Sequence, residues 1–448
     1  MIKTFPAISI LLILLTVQAQ AASFLNFGKT VKLSVDKTTL SSAQHLYRTT
    51  NAVTLATANR ILVRLEKNKT TLLLNHLDNV KSSEILADFP EFSIHLLYLH
   101  KNNALNFARE LMKHPDVAYA QPDFLQVTQD KFRFSDHPSA APHSSSSPSS
   151  ADFWQNWKQT IHFSDTTTHG SGVKVAVIDD AFDLSHPAFK NIQLTFSMNS
   201  DSRTENVSPK ADHEKHGTMV AGLLWANWPE KKLHGLIPDA EMIAIANQYN
   251  WTSAVVLSLY LAYIAGADVI NCSWGMPMLM QPIADTVKAI RRHGRNGKGS
   301  AIVFAAGNQR KPVDSADTLQ SMAEVISVAA IDPQYRVISN YGKTVDIAAP
   351  GLLATTDPRN HNKVSYIGGS SSAAPVISAT IAMIYSLSPQ LTISQVEQLL
   401  QKISHPSPLK NHDFGLVNVK FAVNCATLWN SRNSREVFPG TCFSSKGY

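Results

Sequence analysis

Short apolar runs recur through the second half of the chain, each bounded by polar or glycine-containing segments. Val173–Ile178 (VKVAVI), Met242–Ala246 (MIAIA), Asp268–Ser273 (DVINCS), Ala301–Ala306 (AIVFAA) and Val325–Ala330 (VISVAA) lack the strict alternation of a half-solvated strand. Between them, His216–Trp225, Val255–Ala265 and Ala284–His293 carry apolar residues at helical spacing. Strands covered on both faces read as near-continuous apolar runs. Their alternation with helices predicts an α/β fold: a doubly wound, mostly parallel sheet with helices on both faces. Ligands in such sheets bind at the carboxyl ends of the strands.

The first third has another rhythm. Ile61–Leu65, Phe92–Leu99 and Val117–Ala120 predict strands, and Asn103–Lys113 a helix that Pro115 stops. Strand, helix, strand, strand, helix, strand would build a small α+β sandwich. Pro138–Ser150 holds seven Ser and three Pro among thirteen residues, a composition that buries little and reads as a connector. Five segments result: a leader 1–21, a small domain 22–133, a linker 134–151, a large domain 152–424 and a tail 425–448.

The leader has Lys3, an apolar stretch Ile8–Leu15 too short to span a bilayer, and Ala19-Gln20-Ala21 as a small-x-small site. That layout is a signal peptide and predicts a secreted or periplasmic protein. Export would place Cys425 and Cys442 where they can pair, leaving Cys272 as an inert buried thiol. Three cysteines in 448 residues exclude a disulfide scaffold and any multi-cysteine zinc module. The chain is 44% hydrophobic and 17% charged, which excludes a disordered or coiled-coil protein. The net charge of +6 is not gathered into basic blocks, so nucleic acid is not an expected partner.

Four segments carry candidate chemistry. Asp179 and Asp180 appear as the strand Val173–Ile178 ends. His216 opens HGTMVAG; Asn308 follows Ala305-Ala306-Gly307; Ser371 lies in Gly369-Ser370-Ser371-Ser372-Ala373-Ala374-Pro375. Singly, each could be a cap or a turn residue. Together they supply what acyl transfer needs. A serine hydroxyl needs a base, the imidazole needs a carboxylate on its other nitrogen, and the oxyanion needs a donor. A zinc site at His213-Glu214-Lys215-His216 fails, because helical zinc motifs space their histidines four apart.

The order Asp, His, Ser in these contexts resembles the subtilisin-like serine proteases, the subtilases. HGTMVAG matches the family's His motif, and GSSSAAP matches its Ser motif with Ser370 in the Thr place. Val269–Gly275 (VINCSWG) resembles its substrate-binding strand and AAGN its oxyanion segment. The resemblance covers roughly 152–423 and implies a subtilisin-like peptidase domain. Asp179 would orient the base, His216 would be general base and acid, Ser371 the nucleophile and Asn308 the oxyanion donor. Ser273, Trp274 and Gly275 would pair with an extended substrate. Tyr119–Phe124 (YAQPDF) resembles the end of subtilase propeptides, which implies a ferredoxin-like prodomain acting as intramolecular chaperone and inhibitor, with self-cleavage near the linker. The chemistry requires no cofactor, and structural calcium is possible by family resemblance, with no ligands assigned. The implied partners are peptide or protein substrates and the chain's own propeptide, with no nucleic acid, no membrane after leader removal, and a monomeric state.

Two departures matter. Asp180-Ala181 replace the family's usual Ser/Thr-Gly, as in kexin-like members, so either carboxylate could face His216; Asp179 follows the strand directly and is the better placed. Trp274 also resembles kexin-like strands, but no acidic residue follows in Met276–Pro282, so dibasic specificity has no support. The alternative to a self-processing serine endopeptidase is a catalytically inactive binding or scaffold protein on the same fold.

Overall fold

The computed structural model describes residues 22–35, 45–67, 74, 77–101, 103–127, 157–163, 168–403, 409 and 412–432. The leader, the serine-rich linker and Cys442 lie outside them.

The N-terminal unit is a seven-stranded antiparallel sheet. Its strands are β1 (Ala22–Asn26), β2 (Lys29–Val35), β3 (His45–Thr49), β4 (Thr54–Glu66), β5 (Val80–Asp88), β6 (Phe92–Leu99) and, after helix α1 (Ala104–Leu111), β7 (Val117–Val127). β4 pairs with β6 and β7, and β6 with β5, giving the order β7-β4-β6-β5, which fits the strand order of a ferredoxin-like sheet. The strands and helix expected here all form. The helix expected between β4 and β5 falls largely on residues that are not described. β1, β2 and β3 add to the sheet beside the first residues of β4 and were not expected from the sequence. The reason is physical: β2 buries only Leu33, so it shows no apolar run.

The large unit is an eight-stranded sheet, parallel throughout. In chain order its elements are β8 (Lys174–Asp179), β9 (Leu194–Asn199), α2 (His216–Trp225), β10 (Glu241–Ala246), α3 (Thr252–Ile264), β11 (Val269–Cys272), α4 (Gln281–Gly297), β12 (Ala301–Ala305), β13 (Ile326–Ile331) and β14 (Ile347–Pro350). A hairpin of β15 (Leu352–Thr356) and β16 (Val364–Gly368) follows, then α5 (Ser370–Leu387), α6 (Ile393–Ile403), β17 (Gly415–Leu416) and α7 (Val419–Arg432). The strand order is β17-β14-β13-β12-β11-β8-β10-β9. Helix α7 runs across the boundary that the sequence placed at 424.

Alternate residues of each strand point to opposite faces. Val175 and Val177 of β8 enter one core with α2, α5, α6 and α7. Ala176 and Ile178 enter the other with α3 and α4. Both faces are therefore apolar, as the continuous runs predict. α5 is apolar enough by length and composition to cross a membrane, yet it is buried against the sheet. The second core continues into the N-terminal sheet through Leu55, Leu62, Phe89 and Phe124. Each such side chain contributes about 1.5–3 kcal/mol when fully buried, more than an exposed ion pair at the rim. The two units are joined chiefly by apolar burial.

Candidate active site

Three elements converge at the carboxyl edge of the central strands. β8 ends in Asp179, α2 begins with His216, and α5 carries Ser371 in its first turn. Asp179 Oδ1 lies 2.8 Å from His216 Nδ1, with the carboxylate fully buried. The same oxygen accepts the Asp180 N–H at 2.8 Å. This geometry decides between the two carboxylates: Asp179 faces the imidazole.

Asp180 does something else. Its Oδ2 accepts the His216 N–H at 3.0 Å, and its Oδ1 accepts the Gly217 and Ala181 N–H groups at 2.7 and 2.6 Å. Lys215, at the N-cap position of α2, makes no side-chain capping bond. Asp180 thus caps from the strand end the helix that carries His216, where carboxylates are favoured. Burial, then the charge of Asp179, raises its carboxyl from 3.8 to about 6, against the pull of His216 and the two helix N–H groups. Gly217 allows this approach: a Cβ there would lie 2.5 Å from the Ala181 carbonyl oxygen and 2.9 Å from Asp179 Cβ.

Ser371 is locked to the β11 extension by a reciprocal pair. Its hydroxyl donates to the Ser273 carbonyl oxygen at 3.0 Å, and the Ser273 hydroxyl donates to the Ser371 carbonyl oxygen at 3.1 Å. The second bond has a cause four residues along. Pro375, inside α5, has no N–H to give the carbonyl of residue 371, and Ser273 takes the place. Behind it, Asn271 Nδ2 donates to Ser273 Oγ at 3.0 Å and the Ser378 hydroxyl donates to Asn271 Oδ1 at 2.9 Å.

The two serines flanking Ser371 are engaged elsewhere. Ser372 donates to the Gly369 carbonyl oxygen at 2.9 Å. Ser370 gives both its N–H and its hydroxyl to Asn308 Oδ1, at 2.8 and 2.9 Å, while its Oγ accepts the Gly307 N–H at 3.1 Å. With Oδ1 held on two donors, Asn308 has its amide N–H groups for the cleft, where it is half-buried. Trp274 is 2% exposed, and its indole N–H donates to the Ile178 carbonyl oxygen at 2.6 Å. Its side chain ties the β11 extension to β8 and leaves only backbone to meet a ligand. Cys272 is fully buried, and burial pushes its thiol well above the ordinary range.

Asp179, His216, Ser371, Asn308 and Ser273–Gly275 thus gather at one strand edge. Sequence reasoning missed the supporting roles of Ser370, Asp180, Asn271 and Ser378. Only the Asp180-Ala181 departure signalled one of them in advance. Among the described residues, no group of three or more His, Cys, Asp or Glu side chains is arranged to hold a metal ion.

The family model for the subtilase family matches residues 170–417, more than half of the chain. The chain belongs to the subtilase family. It is a serine protease, a hydrolase of peptide bonds. The Major intracellular serine protease of Bacillus subtilis is 29% identical over 258 residues, covering 54% of this chain and 77% of that protein. The Calcium-dependent protease of Trichormus variabilis is 28% identical over 281 residues, covering 52% of this chain and 41% of that protein. Among solved structures, fervidolysin from Fervidobacterium pennivorans, a keratinolytic enzyme related to subtilisin, shares the fold. Its TM-score is 0.59 at 19% identity, covering 82% of this chain and 61% of that one.

One expectation is corrected here. The leader pointed to a secreted or periplasmic protein, whereas the Bacillus subtilis relative is named an intracellular protease. The peptidase fold carries no address of its own, and the expectation rested on Met1–Ala21 alone, which lies outside the described residues. The Cys425–Cys442 pairing, argued only from an oxidising compartment, loses its basis with it.

Proposed function

We propose that the protein is a serine endopeptidase made as a self-processing precursor, with Ser371 as nucleophile. In this reading an extended peptide lies along Ser273–Gly275 as an added strand. Ser371 turns its hydroxyl from the Ser273 carbonyl to His216 Nε2, a contact that tightens only in the substrate complex. The imidazole takes the proton as Oγ attacks the peptide carbonyl, then gives it to the leaving amine, leaving an acyl-enzyme that water hydrolyses. Asp179 holds the tautomer and stabilises the imidazolium. Asn308 and the Ser371 backbone N–H bind the developing oxyanion. The observation that carries this reading is the buried Asp179–His216 bond at 2.8 Å.

The N-terminal unit is the propeptide in this reading. Asp123 accepts the Ser253 N–H and hydroxyl at 2.9 and 2.7 Å, at the start of α3, and pairs with Arg60 at 2.7 Å. Asn26 Oδ1 accepts the Gln281 N–H at 2.9 Å, at the start of α4. Beyond Asp123, Leu125 bridges Trp251 and Gln126 exchanges two hydrogen bonds with Met278. β7 thus leads the chain past the segments that flank the cleft, which suits an inhibitor whose C-terminal end enters it.

The test is Ser371→Ala in the full chain. It should abolish peptide hydrolysis and leave the chain unprocessed. Undiminished hydrolysis or processing by the variant would refute Ser371 as the nucleophile, whereas a folded wild type that neither hydrolyses peptides nor processes itself would favour an inactive binding protein.

A further inference from the structure

Beside Gly275, the last residue of the substrate-binding segment, lies the side chain of Gln320. A Cβ at Gly275 would lie 2.9 Å from Gln320 Oε1, 3.0 Å from Cδ and 3.2 Å from Nε2, so the carboxamide rests flat against the glycine. Oε1 accepts the Met276 N–H at 3.2 Å. The group is carried on the short 3-10 turn Leu319–Ser321, fixed by a capping box between Thr318 and Ser321 and by the fully buried Leu319. The Leu279 N–H donates to the Asp317 carbonyl oxygen at 2.8 Å, which staples the turn to the chain beyond Gly275.

We propose that Gln320 determines specificity for the residue on the acyl side of the scissile bond, and that it selects a neutral side chain ending in an oxygen acceptor, glutamine or asparagine. The proposal rests on the proteolytic reading given above. β11 and β12 are parallel neighbours, with Cys272 opposite Phe304. Beyond their ends the chain gives Ser273–Gly275 on one side and Ala306–Asn308 on the other. A carbonyl carbon at Ser371 Oγ, with its oxygen at Asn308, lies over the gap between these two extensions. The side chain of that residue enters the gap, and Gln320, arriving from beyond β12 onto Gly275, forms its wall.

The chemistry of the wall follows from what is already engaged. Oε1 is held by Met276, so the group offered to a ligand is the NH2, two donors and no acceptor. Gln320 is half-buried and Gly275 partly exposed, so a ligand can reach them. A leucine there would exclude water and leave the donors unmatched. A carboxylate would lose its hydration with no cation among these wall residues to pair it. A neutral hydrogen bond in a half-open site favours the acceptor by about tenfold. Fully enclosed sites reach far larger ratios, of order 10⁴ or more.

The experiment uses protein purified from expression of the full chain, with peptides that differ only at this residue: Gln, Leu or Lys. Wild type should show kcat/KM for Gln about tenfold above Leu. Gln320→Glu keeps an oxygen for Met276 and places a carboxylate oxygen where the NH2 stood. It should shift preference from Gln to Lys by tenfold or more at neutral pH. Gln320→Leu should erase the Gln advantage. Labelling of Ser371 by a fluorophosphonate reports a folded site in each variant. Wild type that hydrolyses all three peptides without favouring Gln overturns the assignment, whatever the variants do. So does a labelled Gln320→Glu with the wild-type profile. Wild type that neither cleaves any peptide nor labels at Ser371 overturns the proteolytic reading instead.

Discussion

Replacing Asp180 by Ala should loosen the helix that carries His216 without altering any group proposed to do chemistry. The carboxylate accepts three N–H groups, those of Ala181, His216 and Gly217, in a site where Asp180 is 4% exposed. Loss of an N-cap costs about 0.5–2 kcal/mol. A buried donor left unpaired costs about 1–3 kcal/mol. The two terms overlap, because two of the three donors are the cap, so the expected loss is about 2–4 kcal/mol. In a unit of this size that lowers Tm by roughly 5–15 °C. Misplacing the imidazole by about 1 Å should cost kcat on the order of 10²-fold.

The isosteric Asp180→Asn separates capping from charge. The Asp180 carboxyl is raised to about 6 in the folded protein, so the folded state holds this proton more tightly than the unfolded chain does. Its contribution to stability therefore falls as pH rises from about 4 through 6, and it is least favourable at neutral pH. Asparagine keeps one acceptor and has no such slope. The assay is calorimetric Tm at pH 5 and 7.5 in a Ser371→Ala background, which keeps the chain intact. At pH 7.5 Asn should be less destabilising than Ala. Between the two pH values wild type should lose stability relative to Asn. Unchanged Tm in that background, together with unchanged kcat for Asp180→Ala with Ser371 retained, would refute the capping role; parallel pH profiles of Tm for Asp180 and Asp180→Asn would refute the charge argument.

Two further outcomes can be checked with Ser371 in place. Ser370→Ala removes the hydroxyl held between Asn308 and the Gly307 N–H. It should lower kcat about tenfold with KM nearly unchanged, less than the 10²–10³ expected for deleting the Asn308 amide itself; a KM effect alone would show that Ser370 does not aim Asn308. Asp123→Ala leaves the start of α3 uncapped by the N-terminal unit and Arg60 without its partner. The separated N-terminal unit should then inhibit at least tenfold more weakly by titration, and unchanged inhibition would remove Asp123 from the contact.

The sequence was most legible where burial is complete on both faces. β8, β11 and β12 show as unbroken apolar runs because neither face meets water, and each ends where a proposed functional residue begins. The added strands β1–β3 were hidden because none of them buries more than two residues in succession. Within the site, Asp179, His216, Ser371 and Asn308 carry recognisable side-chain chemistry in recognisable contexts. Their supports do not. Asp180 and Ser370 act on backbone N–H groups, which no residue letter reveals, and the Ser273–Ser371 exchange depends on a missing N–H at Pro375. The Trp274 side chain holds β8 through its indole, a support that the strand motif alone does not reveal.

The most direct measurement is fluorophosphonate labelling of the processed protein, followed by peptide mapping of the adduct. Three consecutive serines compete, and two are tied to Asn308 and to the Gly369 carbonyl. The account predicts one adduct, on Ser371, abolished by His216→Ala. An adduct on Ser370 or Ser372, or a folded and processed protein that takes no label, would contradict it.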